Sequence, residues 1–348
     1  MRTLKVGKRV LTTKDVFFIA EIGSNHMGDP DLCERMIIEA ARCGVDAVKL
    51  QKRDASMMTA TERARPYENE NSFGKTYGEH RDALDWFGIR EFKRFKAVAE
   101  ALDVILFATP FTAKDALFLR KLDMPLYKIA SCDATNLPLI RSVAGFGRPV
   151  LISTGGATLQ DIDAIVADLD KITCNYSILH CVSTYPNNDA NLNLLNIVTL
   201  RERYPGCLIG FSSHHPGIEP LVIARVLGAS IFEVHFTLNR ANKGTDNAFS
   251  LEPKGLAQAI EDVKRVDRML GSASRVVSDA ERIGFVRKMG KGIYLKRPMQ
   301  AGSVLTDGDI CFKAPAGGLR PGEADRVVGH SLIADTSTGV ALGMGAVR

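Results

Sequence analysis

From residue 16 onward, short apolar runs rich in β-branched residues alternate with amphipathic, charged stretches, as in a parallel sheet with crossover helices. Eight runs read as strands: Val16–Ala20, Ala47–Gln51, Val104–Ala108, Leu126–Ala130, Val150–Ser153, Tyr176–Cys181, Leu208–Phe211 and Ile231–His235. Helical periodicity marks Asp31–Cys43, Ile89–Ala101, Ala113–Leu122, Leu159–Leu169 and Pro216–Leu227 between them. Eight strand–helix units in roughly 270 residues match the size of a TIM barrel, with an open doubly wound sheet as the alternative.

The placement of polar residues favours the barrel. Nearly every run ends, on its C-terminal side, in groups able to bind or react: AEIGSNH, VKLQKR, ATPF, YKIASCD, ISTGG, HCVSTYP, FSSHH and EVHFT. Barrel enzymes assemble their sites from the C-terminal ends of many strands, so this repetition is what that fold predicts. The strand-poor interval Asp54–Phe87, with Asn71, Gly74, Tyr77 and His80, reads as an extended loop after the second strand, long enough for a lid or substrate loop. Around Ser272–Ser278 the alternation stops. Short strand-like runs with Gly and Pro turns then suggest a compact, mostly-β second domain over 285–348, after a catalytic barrel over 1–278.

Composition narrows the function classes. With 45% apolar and 24% charged residues the chain can bury a core and is not disordered. The net charge of +5 is spread along the chain without a basic stripe, which suits small anions and argues against nucleic acid. Seven cysteines (Cys33, Cys43, Cys132, Cys174, Cys181, Cys207 and Cys311) form no CxxC pair, and several sit in apolar runs, so a reducing cytoplasm is expected. The stretch MRTLKVGKRVLTTKD lacks an apolar segment of signal length, and no segment approaches the ~20 apolar residues of a membrane span, so a soluble, non-membrane protein is expected.

In this order, AEIGSNH, VKLQ, TPF, YKIAS, ISTGG, HCVSTYP, FSSHH and EVHFT resemble the sialic acid synthase family. The segment LKRPMQAGSVLTDGDICFKAP is similar to that family's small SAF domain, an antifreeze-like module. The resemblance covers the whole chain. It implies a TIM barrel plus SAF domain in a domain-swapped homodimer. It also implies a transferase that condenses phosphoenolpyruvate with N-acetylmannosamine or a related 2-acetamido sugar aldehyde and releases phosphate.

His214 and His235 end the seventh and eighth runs and so can lie side by side at the barrel mouth. Neutral imidazoles suit Mn²⁺, Zn²⁺, Co²⁺ or Fe²⁺ better than Mg²⁺, and two protein ligands leave positions open for water and substrate. By spacing alone, polar caps on strand ends are an equal reading; the resemblance places both histidines at the family's metal ligands. Mn²⁺ is the ion expected first, with Mg²⁺, Co²⁺ or Zn²⁺ as alternatives. His215 is the local competitor of His214, and Ser213 stands where the family usually has Asp, so an outer carboxylate is missing.

Phosphoenolpyruvate needs cations and hydroxyl donors at converging loop tips. Lys49, Lys128, Thr109, Ser131, Ser153 and Ser212, with the Thr154-Gly155-Gly156 turn, supply them, and the resemblance adds Ser183, where many relatives have Asn, and Tyr185. Glu21 is read as an acid–base or intermediate-stabilising carboxylate, or else as a structural partner of a barrel lysine. The catalytic set is thus Glu21, Lys49 and Lys128, and Gln51, Asn71, Tyr77, Asp133 and Asp246 remain for the sugar. The small domain departs from the family in reading Lys313-Ala314-Pro315-Ala316, so the Arg usually offered to the partner's sugar site is absent, with Arg320 as a nearby substitute. Competing readings are a legionaminate or pseudaminate synthase using a 2,4-diacetamido-6-deoxy sugar, another phosphoenolpyruvate synthase or an aldolase on the same barrel, and a non-catalytic sugar-binding relative.

Overall fold

The computed structural model describes residues 3–54, 57–173 and 175–348. It forms two compact units, one ending at Gly271 and the other beginning at Ser272. The first unit opens with a hairpin of β1 (Leu4–Val6) and β2 (Arg9–Leu11). Eight parallel strands then close into a barrel: β3 (Phe17–Gly23), β4 (Ala47–Lys52), β5 (Ile105–Pro110), β6 (Tyr127–Ile129), β7 (Val150–Ser153), β8 (Tyr176–Cys181), β9 (Leu208–Ser213) and β10 (Ile231–His235). Closure is by β10 against β3, from Ile231 opposite Phe17 to His235 opposite Glu21, which makes the sheet a TIM barrel and not an open one. Each expected run overlaps one of these strands, with bounds that differ by up to three residues.

The runs look continuously apolar because both strand faces are buried. On β3, Phe18, Ala20 and Ile22 point out and pack under the helices, whereas Phe17 and Ile19 point into the barrel. The inner cluster collects Phe17, Ile19, Ala47, Phe107, Leu126, Leu151, Leu179, Leu208 and Ile231 near the N-terminal end of the barrel, and the hairpin's Leu4, Val6 and Leu11 join it. That end is therefore a dry plug. One step of two residues further along most of these strands, and two steps along β9 at Ser212, the inward positions become polar, and the site begins there.

The outer helices are α1 (Pro30–Arg42), α2 (Ala60–Ala64), α3 (Tyr77–Asp85), α4 (Ile89–Ala101), α5 (Ala113–Lys121), α6 (Leu137–Ala144), α7 (Leu159–Leu169), α8 (Asn196–Arg203), α9 (Glu219–Val226) and α10 (Pro253–Leu270). Local chemistry starts them: Asp29 accepts from the amides of Asp31 and Leu32 ahead of a proline at the first turn of α1, and Thr158 caps α7. The five helices read from periodicity are α1, α4, α5, α7 and α9. The segment 54–87 is not a plain loop. It holds α2 and α3, and α3 is nucleated by a capping box in which Thr76 and Glu79 each bond the other's backbone amide.

The second unit contains β11 (Gly292–Leu295) paired antiparallel with β12 (Ile310–Lys313) and isolated bridges such as Met299 with Thr336 and Leu332 with Val347. Its own core gathers Ile293, Leu295, Leu305, Ile310, Leu319, Val327, Leu332, Leu342 and Val347. The contact boundary after Gly271 puts residues 272–278 with this small unit. Among the described residues no helix is long and apolar enough to cross a membrane. Six cysteines are free thiols, and Cys174 lies outside the described residues.

Candidate active site

At the C-terminal mouth of the barrel a cleft of about 700 Å³ opens. Its floor is a layer of inward side chains from neighbouring strands, all at most 5% exposed: Glu21, Lys49, Thr109, Lys128, Ser153, Ser212 and Glu233. Lys49 Nζ lies 2.8 Å from Glu21 Oε2, 3.4 Å from Glu233 Oε1 and 3.0 Å from Thr109 Oγ1, to which it donates. Lys128 Nζ lies 3.6 Å from the same Glu233 oxygen, and Ser212 Oγ donates to it at 3.3 Å. Two lysines and two glutamates thus share one buried network.

The charges in this network are set by a contest between burial and pairing. Burial alone would lower the Lys49 pKa, but Glu21 and Glu233 outweigh it and hold the ammonium above its usual range. For Lys128 burial outweighs the pull of Glu233, and with Lys49 pushing the same way as burial its pKa falls below the usual lysine value. For Glu233 burial works upward, yet the two lysines dominate and keep the carboxylate ionised.

Above this floor His214 and His235 face each other with ring centroids 5.3 Å apart. His214 Nδ1 lies 2.9 Å from the Val182 carbonyl oxygen and 4.0 Å from Cys181 Sγ; the shorter contact is to a pure acceptor, so Nδ1 carries a proton and Nε2 is the nitrogen left to face the cleft. Burial alone would lower the pKa of this ring, but Cys181 and the Val182 carbonyl outweigh it and raise it. His235 is held neutral by burial, and its Nδ1 is a buried nitrogen without a hydrogen-bond partner, 3.7 Å from Asp246 Oδ2. Tyr185 leans on His214 at 4.1 Å, and Phe249 packs on His235 at 5.0 Å, giving the pair an aromatic wall. Among the described residues no three His, Cys, Asp or Glu side chains converge as a metal cage. Two facing imidazoles, one of them with an orphaned ring nitrogen, fit an ion that draws its other ligands from water and substrate.

Beside the pair, the turn after β7 approaches Ser131 and Ser183. The Gly155 amide donates to Ser131 Oγ at 3.0 Å, and a Cβ at position 155 would fall 2.1 Å from Ser183 Oγ. Glycine is required because hydroxyls from two neighbouring strand ends close over its backbone.

Residues 36–275 match the NeuB family. The chain belongs to that family. N-acetylneuraminate-9-phosphate synthase from Mus musculus is 35% identical over 291 residues, 83% of this chain and 80% of the relative. N,N'-diacetyllegionaminic acid synthase from Legionella pneumophila is 29% identical over 94% of this chain and 93% of its own. The crystal structure of N-acetylneuraminic acid (sialic acid) synthetase from Leptospira borgpetersenii superposes with a TM-score of 0.71 at 33% identity, covering 82% of this chain and 98% of that one. The family suggested by the strand-end motifs is the one found.

In this NeuB chain the cleft brings together Glu21, Lys49, Gln51, Asn71, Tyr77, Thr109, Lys128, Ser131, Ser153, Ser183, Tyr185, Ser212, His214, His235 and Asp246. Asp133 is not among its lining residues; it sits on the short turn after β6, where its Oδ1 accepts from Asn136 Nδ2 at 2.9 Å. His215 does not line the cleft either: its Nε2 meets Asp189 at 2.9 Å, and its Nδ1 accepts from the Gly217 amide. Asn71 reaches the cleft from the 54–87 segment and accepts from the Gly244 amide at 3.1 Å, joining that segment to the loop that carries Asp246. Gln51 donates to Glu21 Oε1 at 2.7 Å.

Sequence reasoning missed Glu233, Cys181 and Arg53, all of which line the cleft. The first two were legible: Glu233 precedes His235 by two residues on β10, so the period of two puts both on the inner face, and Cys181 follows Leu179 on β8 in the same way. Arg53 follows Gln51 by the same interval, just beyond β4.

Proposed function

We propose that the chain condenses phosphoenolpyruvate with the open-chain aldehyde of a 2-acetamido sugar, forming a sialic-acid-type nonulosonate and releasing phosphate. The observation that carries this reading is the buried Lys49–Glu21–Glu233–Lys128 network beneath the facing His214 and His235, in one cleft of a NeuB chain. Lys49 and Lys128 hold the phosphate and carboxylate of phosphoenolpyruvate, and Thr109, Ser131, Ser153, Ser183, Ser212 and Tyr185 supply hydroxyl donors around it. A divalent ion held by His214 and His235, Mn²⁺ in preference to Co²⁺, Zn²⁺ or Mg²⁺, would polarise the aldehyde oxygen.

C3 of phosphoenolpyruvate forms the new bond to the aldehyde carbon, leaving positive character at C2. Glu21, fixed by Gln51 and Lys49, orients and deprotonates the water that adds there. The tetrahedral centre then expels phosphate by C–O cleavage, leaving a 2-keto acid. Orienting two substrates in one cleft supplies much of the rate, because effective molarities of ~10⁵ M or more are reached by aligned partners. Gln51, Asn71, Tyr77 and Asp246 stand where the sugar hydroxyls and acetamido groups would lie; Asp133 would serve the sugar only after leaving Asn136.

The same reading assigns the small unit as an SAF domain acting in a swapped homodimer, in a reducing cytoplasm compatible with the six free thiols. The deciding experiment is a phosphate-release assay with phosphoenolpyruvate and Mn²⁺ against N-acetylmannosamine, its 6-phosphate and 2,4-diacetamido-6-deoxy sugars. Phosphoenolpyruvate labelled with ¹⁸O in the bridging position should deliver the label to phosphate. Label retained in the organic product, or no phosphate with any acceptor, rejects the proposal.

A further inference from the structure

Among the described residues, every cation of the cleft but one is paired with a carboxylate within 4.0 Å. Lys49 and Lys128 meet Glu21 and Glu233, and Arg81 makes a two-point contact with Asp85 at 2.7 and 2.5 Å. Arg53 also lines the cleft, and among the described residues no carboxylate comes within 4.0 Å of it. Its guanidinium is nonetheless fixed: it lies 4.1 Å over the Phe111 ring, and one Nη donates to Gln51 Oε1 at 2.6 Å. Its Nε is buried and has no hydrogen-bond partner.

Such an arrangement is costly in the free protein. Burial first, and the nearby Arg81 second, disfavour its charge, and an unfilled buried donor adds a desolvation penalty. A planar fork, pre-stacked and with a donor left open, is suited to a phosphate or carboxylate. The position selects between substrates. Arg53 lies just beyond the C-terminal end of β4, on the mouth side of Gln51, while Lys49 and Lys128 occupy the floor. Tyr77 and Arg81 of α3 lie on its side of the cleft.

We infer that Arg53 binds an anionic substituent, a phosphate monoester or carboxylate, on the acceptor sugar, so that this site selects acidic amino sugars. The inference rests on the synthase reading above and adds the acceptor's charge to it. Gln51 couples the two layers, because it accepts from Arg53 and donates to Glu21. An anion on Arg53 thereby also helps hold Gln51 in register.

The test compares N-acetylmannosamine with N-acetylmannosamine 6-phosphate as acceptors, in wild type and in Arg53→Gln and Arg53→Lys, by phosphate release with phosphoenolpyruvate and Mn²⁺. Wild type is expected to favour the phosphorylated sugar at least tenfold in kcat/KM. Arg53→Gln should lower that preference by about 10- to 100-fold, the range of a charge-assisted fork, and Arg53→Lys should restore part of it. An equal loss on both acceptors would mean that Arg53 only positions Gln51, and a rise confined to the KM of phosphoenolpyruvate would assign the anion to that substrate; either overturns the inference. Calorimetric titration of the two sugars into each variant gives an independent readout. If no acceptor turns over, the synthase reading fails, yet tighter binding of the sugar phosphate that is lost in Arg53→Gln still upholds the anion site, and equal binding of both sugars overturns it.

Discussion

Lys49 Nζ lies 2.8 Å from Glu21 Oε2 on the floor of the barrel mouth, with neither side chain more than 4% exposed. Removing one charge strands the other in a medium where burial of a lone ion is heavily penalised. Glu21→Gln is therefore expected to cost about 3 kcal/mol in urea unfolding, at the low end for a broken buried pair because Lys49 keeps Glu233 at 3.4 Å. Lys49→Met together with Glu21→Gln should cost less than the sum of the single changes by at least ~1 kcal/mol. Strict additivity would show that the two do not interact energetically. Turnover should be lost in all three variants.

The facing imidazoles give a second expectation. His214→Ala with His235→Ala should abolish Mn²⁺ binding in calorimetry and Mn²⁺-dependent phosphate release, with the circular dichroism spectrum retained, since both residues sit at strand ends above the apolar plug. His215→Ala should be far milder, because that ring is turned to Asp189 and Gly217. Greater damage from His215→Ala would move the metal site by one residue.

These two sites also show what the chain discloses on inspection and what it conceals. Strands were legible because their inward and outward faces are both apolar, and His214 and His235 were legible because strand ends concentrate chemistry. Glu233 was overlooked beside the more conspicuous His235, although alternation alone places it on the inner face. α3 reads as loop in the sequence because its residues are largely polar and its start depends on the Thr76–Glu79 capping box. Asp133 carried a plausible side chain but is drawn to Asn136 within its own turn, a local competition that spacing does not reveal. Arg53 could not have been singled out by sequence, since what sets it apart is that among the described residues no carboxylate comes within 4.0 Å of it in three dimensions.

Gly155 supports a third expectation. A methyl group there would fall 2.1 Å from Ser183 Oγ and 2.9 Å from Ser131 Oγ, so Gly155→Ala must push both hydroxyls out of place. The KM for phosphoenolpyruvate should rise at least tenfold, with a smaller change in the acceptor KM. The reverse pattern would detach this turn from the phosphoenolpyruvate site.

Ala314, exposed just beyond β12, supplies a fourth. If the small unit serves a partner's sugar site, Ala314→Arg adds a cation and a hydrogen-bond fork there. It should then change relative kcat/KM among acceptors without a matching change in the KM for phosphoenolpyruvate. Deleting the residues after Ser278 should raise the acceptor KM or abolish turnover. A truncated monomer with unaltered acceptor kinetics would show that the small unit takes no part in the site.

His26, which follows β3, sets a pH limit on the barrel. Its ring is 4% exposed, packs on Phe87 at 4.5 Å, and accepts the Gly28 amide on Nδ1 at 3.0 Å, a bond that requires that nitrogen to be unprotonated. Burial first, then the Arg81 guanidinium, lower its pKa from 6.5 to about 3, against a smaller opposing pull from Asp29. The unfolded chain takes up this proton near pH 6.5 and the folded chain only near pH 3, so the unfolded state binds more protons between those values. The stabilisation is complete above pH 6.5 and is lost as pH falls, with a slope approaching ~1.4 kcal/mol per pH unit from this one group. His80, lowered to about 4 chiefly by burial, steepens the loss further, so the contribution of His26 must be read as a difference between proteins. His26→Asn preserves an acceptor for Gly28 but cannot titrate. Its unfolding free energy should be lower than wild type at pH 7.5, because the ring packing is gone, and the gap should narrow steadily between pH 6.5 and 4.5. A gap that stays constant over that interval would mean that His26 is not the buried neutral imidazole described.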